Sequence, residues 1–128
     1  MANRERDWFN QSLKDLEQAK ISLKHKRYEW ACFASHQAAE KAIKSLHLHL
    51  GEEVWGHTIE KLLKELPFRI SQKLIDKAKV LDSFYIPTRY PNGFPEGAPY
   101  QHYGKLQAEE AIKYAKEIIE FVRSKMAI

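Results

Sequence analysis

Residues 28–50, YEWACFASHQAAEKAIKSLHLHL, contain neither glycine nor proline, so nothing in the stretch interrupts a helix. At about 100° per residue, Tyr28, Ala31, Cys32, Ser35, Ala38, Ala39, Ala42, Ile43, Leu46 and Leu50 fall in one broad arc. Most of these side chains are small, which lets a neighbouring helix approach closely. The opposite side is not plainly polar. Trp30, Phe33 and Leu48 stand there among Gln37, Lys41 and Lys44. A helix apolar on both sides buries part of each. The stretch is therefore expected to be the central helix of a bundle, with a second face for a partner chain or a ligand. Burying a large apolar side chain is worth about 1.5–3 kcal/mol, so a shared patch of Trp30, Phe33 and Leu48 predicts a homodimer.

The flanking sequence supplies the rest of such a bundle. Phe9, Leu13, Leu16, Ala19 and Leu23 keep helical spacing from about Arg4 to Lys24, with Trp8 at the edge of the stripe. His25-Lys26-Arg27 is a short connection, which implies an antiparallel pair. Gly51 suits the position just past the end of the central helix. Thr58 is the expected N-cap of a short helix, TIEKLLKEL, that turns Ile59, Leu62, Leu63 and Leu66 inward and stops at Pro67. Ser71 is the expected cap of a helix running to about Phe84, with Leu74, Ala78 and Leu81 inward. From Lys105 to Lys125, Ala108, Ala111, Ile112, Ala115, Ile118, Ile119 and Val122 form a further stripe. No segment alternates as a strand does, which leaves an all-α chain.

Residues 85–104, YIPTRYPNGFPEGAPYQHYG, break the pattern. They hold four of the five prolines and three of the five glycines, a composition that excludes a helix. They also hold Tyr85, Tyr90, Tyr100 and Tyr103, more aromatic content than a disordered tract carries. Pro87 and Pro91 restrain the first half, which is expected to be ordered, with Arg89 held by a carboxylate or by backbone carbonyls. Beyond Asn92-Gly93 the glycines relax that restraint, and 93–100 is expected to be the more mobile half.

A length of 128 residues with 44% hydrophobic content suits one domain spanning 1–128, able to fold without metal or disulfides. No apolar run approaches the ~20 residues of a membrane span. The N-terminus lacks the apolar core of a signal peptide. The lone cysteine, Cys32, lies on the small-residue arc and reads as a buried side chain. These features together predict a soluble, cytoplasmic protein with no membrane contact. A net charge of +4 is compatible with an anionic ligand but too mild to call for nucleic acid by itself.

Familiar catalytic patterns are missing. There is no GxxxxGK[ST], no GxGxxG and no HExxH. His47 and His49 project about 160° apart on a helix and cannot share a metal. His36 and His47 share a face but lie about 16 Å apart along the axis. What remains is a set of polar and aromatic residues: Glu40 and Lys41 on the central helix, His57 before the third helix, and Tyr85, Arg89 and Tyr90 in the proline-rich segment. Such a set could hold a nucleotide, its phosphate on the cations and its base on a tyrosine. Glu40 and Lys41 are expected to face the groove beside residues 85–103. The plainer alternative is that Glu40 and Lys41 are solvated, His57 is an ordinary loop residue and Arg89 anchors the loop. No catalytic residue, metal ligand or cofactor is assigned.

Three motifs carry a family resemblance: AAEKAIK at 38–44, GHTIEKLL at 56–63 and YIPTRYPNG at 85–93. In this order and spacing, with the Trp8-bearing first helix before them, the chain resembles the HEPN domain family. The resemblance implies a bundle of about five helices, usually a homodimer, with a role beside nucleotides. It further implies one of two activities. Many prokaryotic members partner a minimal nucleotidyltransferase, in toxin–antitoxin-like or defence systems. Others are metal-independent RNases that carry an Arg followed, after four to six intervening residues, by a His. Here those positions after Arg89 are Phe94, Pro95 and Glu96, and no other Arg has a His at that spacing. The partner and nucleotide-binding reading is therefore favoured over an RNase using a non-standard set such as His57, Arg89 and His102.

Overall fold

The structure, a computed structural model, describes residues 3–128. Its regular elements among these residues are all helical: α1 (Glu5–Lys24), α2 (Tyr28–His49), α3 (Ile59–Lys64), α4 (Gln72–Asp82), α5 (Pro99–His102) and α6 (Lys105–Met126). α2 is central, with α1 and α6 packed along it and α3 and α4 packed on each other and against α2 and α6. The predicted arc is the buried one. Ala31, Cys32, Ser35, Ala38, Ala39, Ala42, Ile43 and Leu46 are all inaccessible to solvent. Two members of the arc are exceptions: Tyr28, at the start of the helix, is only half-buried, and Leu50 turns outward as the C-cap beyond His49.

Small side chains set how closely the helices approach. On α1 the buried face is Phe9, Ser12, Leu16, Ala19 and Ser22, while Leu13 and Leu23 are only half-buried. The stripe expected from apolar spacing is thus rotated towards the serines. Ser12 explains it: its hydroxyl donates to the Ala38 carbonyl at 2.7 Å, which requires two backbones in close contact. A leucine there would hold α1 away from α2. Cys32 lies on a different side of α2, near Tyr103, and burial, reinforced by Glu29, pushes its thiol up to about 12. The thiol is therefore a neutral packing group at physiological pH.

The ends of the long helices are closed by backbone geometry. Gly51, at φ +82, follows α2, and the Gly51 and Glu52 amides donate to the Leu48 and His47 carbonyls. The same motif closes α1, but with Lys26 at φ +61 in the left-handed position. There the Lys26 and Arg27 amides donate to the Leu23 and Ser22 carbonyls. A side chain at positive φ is strained where glycine is not.

The proline-rich segment departs from expectation in detail. It is not devoid of helix: a 3₁₀ turn covers Pro91–Gly93 and α5 is one turn long. Both begin with proline, which is tolerated at a first helical position where the missing N–H is not needed. The half beyond Asn92-Gly93 is tied down as well. His102 stacks flat on Phe94 at 4.0 Å and donates from Nε2 to the Glu96 carbonyl at 2.7 Å. The Ala98 amide donates to the Gln101 side chain.

Relieving the strain at Lys26 gives a direct check. Lys26→Gly should raise the unfolding free energy by about 1 kcal/mol. Chemical denaturation measures it; a loss of stability would show that the α1–α2 turn is not left-handed at this position.

Candidate functional site

The site is built where α3 starts, and its first requirement is a cap for that short helix. Thr58 occupies the N-cap position with extended backbone, but its hydroxyl makes no capping bond. The cap comes from Asp82, at the end of α4. Its carboxylate accepts the Ile59 amide at 2.7 Å and the Glu60 amide at 3.0 Å. A carboxylate binding two amides at a helix N-terminus outcompetes a hydroxyl that can take one. His36, fully buried on α2, completes the joint. Its Nε2 lies 3.0 Å from the His57 carbonyl and 3.3 Å from Asp82 Oδ1. A second buried histidine pins α3 from the other side: His47 Nε2 donates to the Leu62 carbonyl at 2.8 Å.

This joint fixes His57. Gly56, at φ +101, lets the loop turn back so that the His57 carbonyl meets His36. The His57 ring then lies over Tyr85, centroids 4.8 Å apart and planes 18° from parallel. Its Nδ1 is 3.0 Å from Glu40 Oε1. Glu40 is only 3% exposed, and its other oxygen takes Lys44 at 3.0 Å. The His57 side chain is 54% exposed. A buried carboxylate therefore holds the Nδ1 edge, while Nε2 makes no hydrogen bond among the described residues.

Tyr85 is the common neighbour. Besides His57 it is packed by His36 at 5.0 Å and Phe33 at 6.2 Å. The Arg89 guanidinium carbon stands 4.7 Å from its ring centre, 4.4 Å from that of Phe33 and 5.2 Å from that of Tyr90. Arg89 Nε donates to the Tyr85 carbonyl at 2.8 Å. Arg89 is thus held by a backbone carbonyl and three rings. Among the described residues no carboxylate pairs with it, and only its Nε makes a hydrogen bond.

Five of the six sequence-derived site residues, Glu40, His57, Tyr85, Arg89 and Tyr90, thus form one connected cluster. Two qualifications matter. The groove beside His57 is walled by Thr58, Asp82, Ser83, Tyr85, Ile86 and Pro87, so Arg89 approaches Tyr85 without lining that groove. Lys41 leaves the cluster altogether. Its ammonium pairs with Asp15 of α1, because neighbouring residues on a helix point about 100° apart and Glu40 takes the inward direction. Three supporting residues carried no sequence signal as such: His36, His47 and Asp82 act across 15 to 46 residues of chain.

An all-helical bundle is a broad class, and its relatives narrow it. The chain belongs to the HEPN domain family, whose model matches residues 5–125. It is similar to the crystal structure of the Thermus thermophilus protein TT1696, with 48% identity over 97% of this chain and 99% of that one and a TM-score of 0.94. It is also similar to ST0689, an archaeal HEPN homologue, at 38% identity, 98% and 99% coverage and TM-score 0.85. A HEPN domain protein of Thermotoga maritima follows at 36% identity, 94% and 98% coverage and TM-score 0.77. A Methanocaldococcus jannaschii protein designated a candidate toxin is 27% identical over 85% of this chain and 79% of its own length. No helix among the described residues is long and apolar enough to cross a membrane.

The cap assignment makes two substitutions unequal. Asp82→Ala should cost about 1–3 kcal/mol, since it strands the Ile59 and Glu60 amides. Thr58→Ala should cost less than about 0.5 kcal/mol. Thermal melts of the two variants decide; equal losses, or a larger loss at Thr58, would return the cap to the threonine.

Proposed function

We propose that the chain acts as one HEPN module that binds a nucleotide phosphate at Arg89 and serves a small nucleotidyltransferase in a toxin–antitoxin-like system. The observation that carries the reading is Arg89 itself. A guanidinium fixed through Nε and by three rings, with its terminal nitrogens unpaired among the described residues, is pre-organised for a bidentate oxyanion. His57, oriented by Glu40, adds a hydrogen-bonding edge across Tyr85. The designation of the Methanocaldococcus jannaschii relative supports the toxin–antitoxin setting.

The module is also proposed to be a homodimer, though not through the face first expected. Phe33 packs into the Tyr85 cluster and Leu48 is half-buried, so Trp30, Phe33 and Leu48 do not form one open patch. The better surface is the loop after α2. Trp55 is 85% exposed there, beside a groove lined by Trp8, Leu48 and Val54. Sedimentation at micromolar concentration should give about twice the 15.0 kDa chain mass, and Trp55→Ser should shift it towards monomer. A monomeric wild type would contradict the dimer.

A second reading is favoured by one contact. Glu40 and His57 form a carboxylate–imidazole pair with an exposed nitrogen, the arrangement of a general acid–base group. An RNA-cutting activity would then depend on His57 and Arg89. His102, by contrast, is engaged with Phe94 and Glu96. RNA cleavage by the purified chain that is lost in His57→Ala would favour this reading.

Arg89 is tested by calorimetry with AMP alongside thermal melting. Arg89→Ala should weaken AMP binding at least about tenfold, and Arg89→Lys should restore it only in part. A large fall in melting temperature, with no measurable AMP affinity in the wild type, would make Arg89 a structural anchor instead.

A further inference from the structure

We propose that the open groove between α1 and α2 receives the base of the nucleotide whose phosphate is held at Arg89. This rests on the nucleotide reading above and assigns the other half of the ligand. The tyrosines expected to stack a base are already engaged. Tyr85 is packed by His36, His57, Phe33 and Arg89. Tyr90 has the Arg89 guanidinium over its ring. Trp30 differs: it is as exposed as Tyr90, at 49%, but among the described residues no cation lies over its ring, and its one aromatic neighbour, Phe33, meets it edge-on at 5.9 Å and 79°.

Trp30 borders a groove of about 480 Å³, within the ordinary range for small-ligand sites. Phe33 and Ala34 continue its apolar wall, and Gln18 and Gln37 supply amides. The Gln18 amide nitrogen donates to Ser22, which leaves its carbonyl oxygen free to accept. With His36 Nε2 donating to the His57 carbonyl, Nδ1 accepts from the Gln37 amide 3.2 Å away, which leaves the Gln37 carbonyl oxygen free. Two amide acceptors beside an exposed indole fit the exocyclic amine and the face of an adenine base. Charge agrees. Arg27 lines the groove as a second cation, and Asp15, the acidic group in it, is neutralised by Lys41. Phe33 links the two halves, since it touches Trp30 on one side and lies 4.4 Å under Arg89 on the other. Base and phosphate would therefore lie on either side of the Phe33 ring, with the ribose passing over its edge.

The test is calorimetry of the full chain with AMP, inorganic phosphate and the RNA hexa-adenylate. Trp30→Ala should weaken AMP roughly tenfold or more, as expected for a lost base stack. It should leave phosphate affinity unchanged, and Trp30→Phe should retain most of the AMP affinity. Given that loss, hexa-adenylate binding more tightly than AMP supports the groove as a site for single-stranded RNA; equal affinities support a free nucleotide. A second measurement keeps Trp30 in place. In the Trp8→Phe/Trp55→Phe variant it is the sole indole of the original three, and AMP, but not phosphate, should quench its fluorescence. If Trp30→Ala leaves AMP binding intact while Arg89→Ala abolishes it, the base lies elsewhere and only this inference falls. Unchanged emission at saturating AMP overturns it in the same way. If the wild type binds neither AMP nor hexa-adenylate, the inference falls together with the nucleotide reading.

Discussion

Asp82 accepts the first two amides of α3 and lies within reach of the buried His36, so three helices meet at one carboxylate. α3 has only six residues, too few to be stable alone. Its position is set from outside, by Asp82 at its start and His47 at the Leu62 carbonyl. His57 stands just before the N-cap of this helix, Thr58, and Tyr85 follows Asp82 by three residues. The ring stack between them, and with it the geometry around Arg89, is therefore a consequence of the cap.

A second constraint is the burial of Glu40. A carboxylate removed from water costs several kcal/mol unless its oxygens are paired. Lys44 and His57 take one oxygen each, which offsets that cost and leaves the imidazole little choice of orientation. A structural need and a chemical capacity thus coincide in one contact. The small residues of α2 matter here too. Alanine and serine bring α1 and α6 close enough to enclose the helix, so Glu40 lies in the interior even though its neighbour Lys41 reaches the α1 surface.

Much of this was legible in the sequence. The buried arc of α2, the stripe of α6, the Ser71 cap and the Gly51 terminus all follow from local spacing, and the structure has each of them. The site was legible as a set of residues but not as a geometry. Asp82 reads locally as the last residue of a helix, and nothing near it says that its carboxylate serves amides more than twenty residues earlier. His36 and His47 read only as two histidines too far apart to share a metal; their partners are carbonyls, which have no sequence identity. Lys41 was misplaced because a charged pair adjacent in sequence need not point the same way on a helix. The turns at Pro91 and Pro99 were hidden by the rule that proline breaks helices, which does not apply at a first turn.

The role proposed for Arg89 is that of an anion site prepared by the fold rather than a loop anchor. A crystal structure of the full chain with bound AMP tests this most directly. The phosphate is expected within hydrogen-bonding distance of the Arg89 terminal nitrogens, with Phe33, Tyr85 and Tyr90 still around the guanidinium. A phosphate bound elsewhere, with Arg89 out of its reach, would contradict the account.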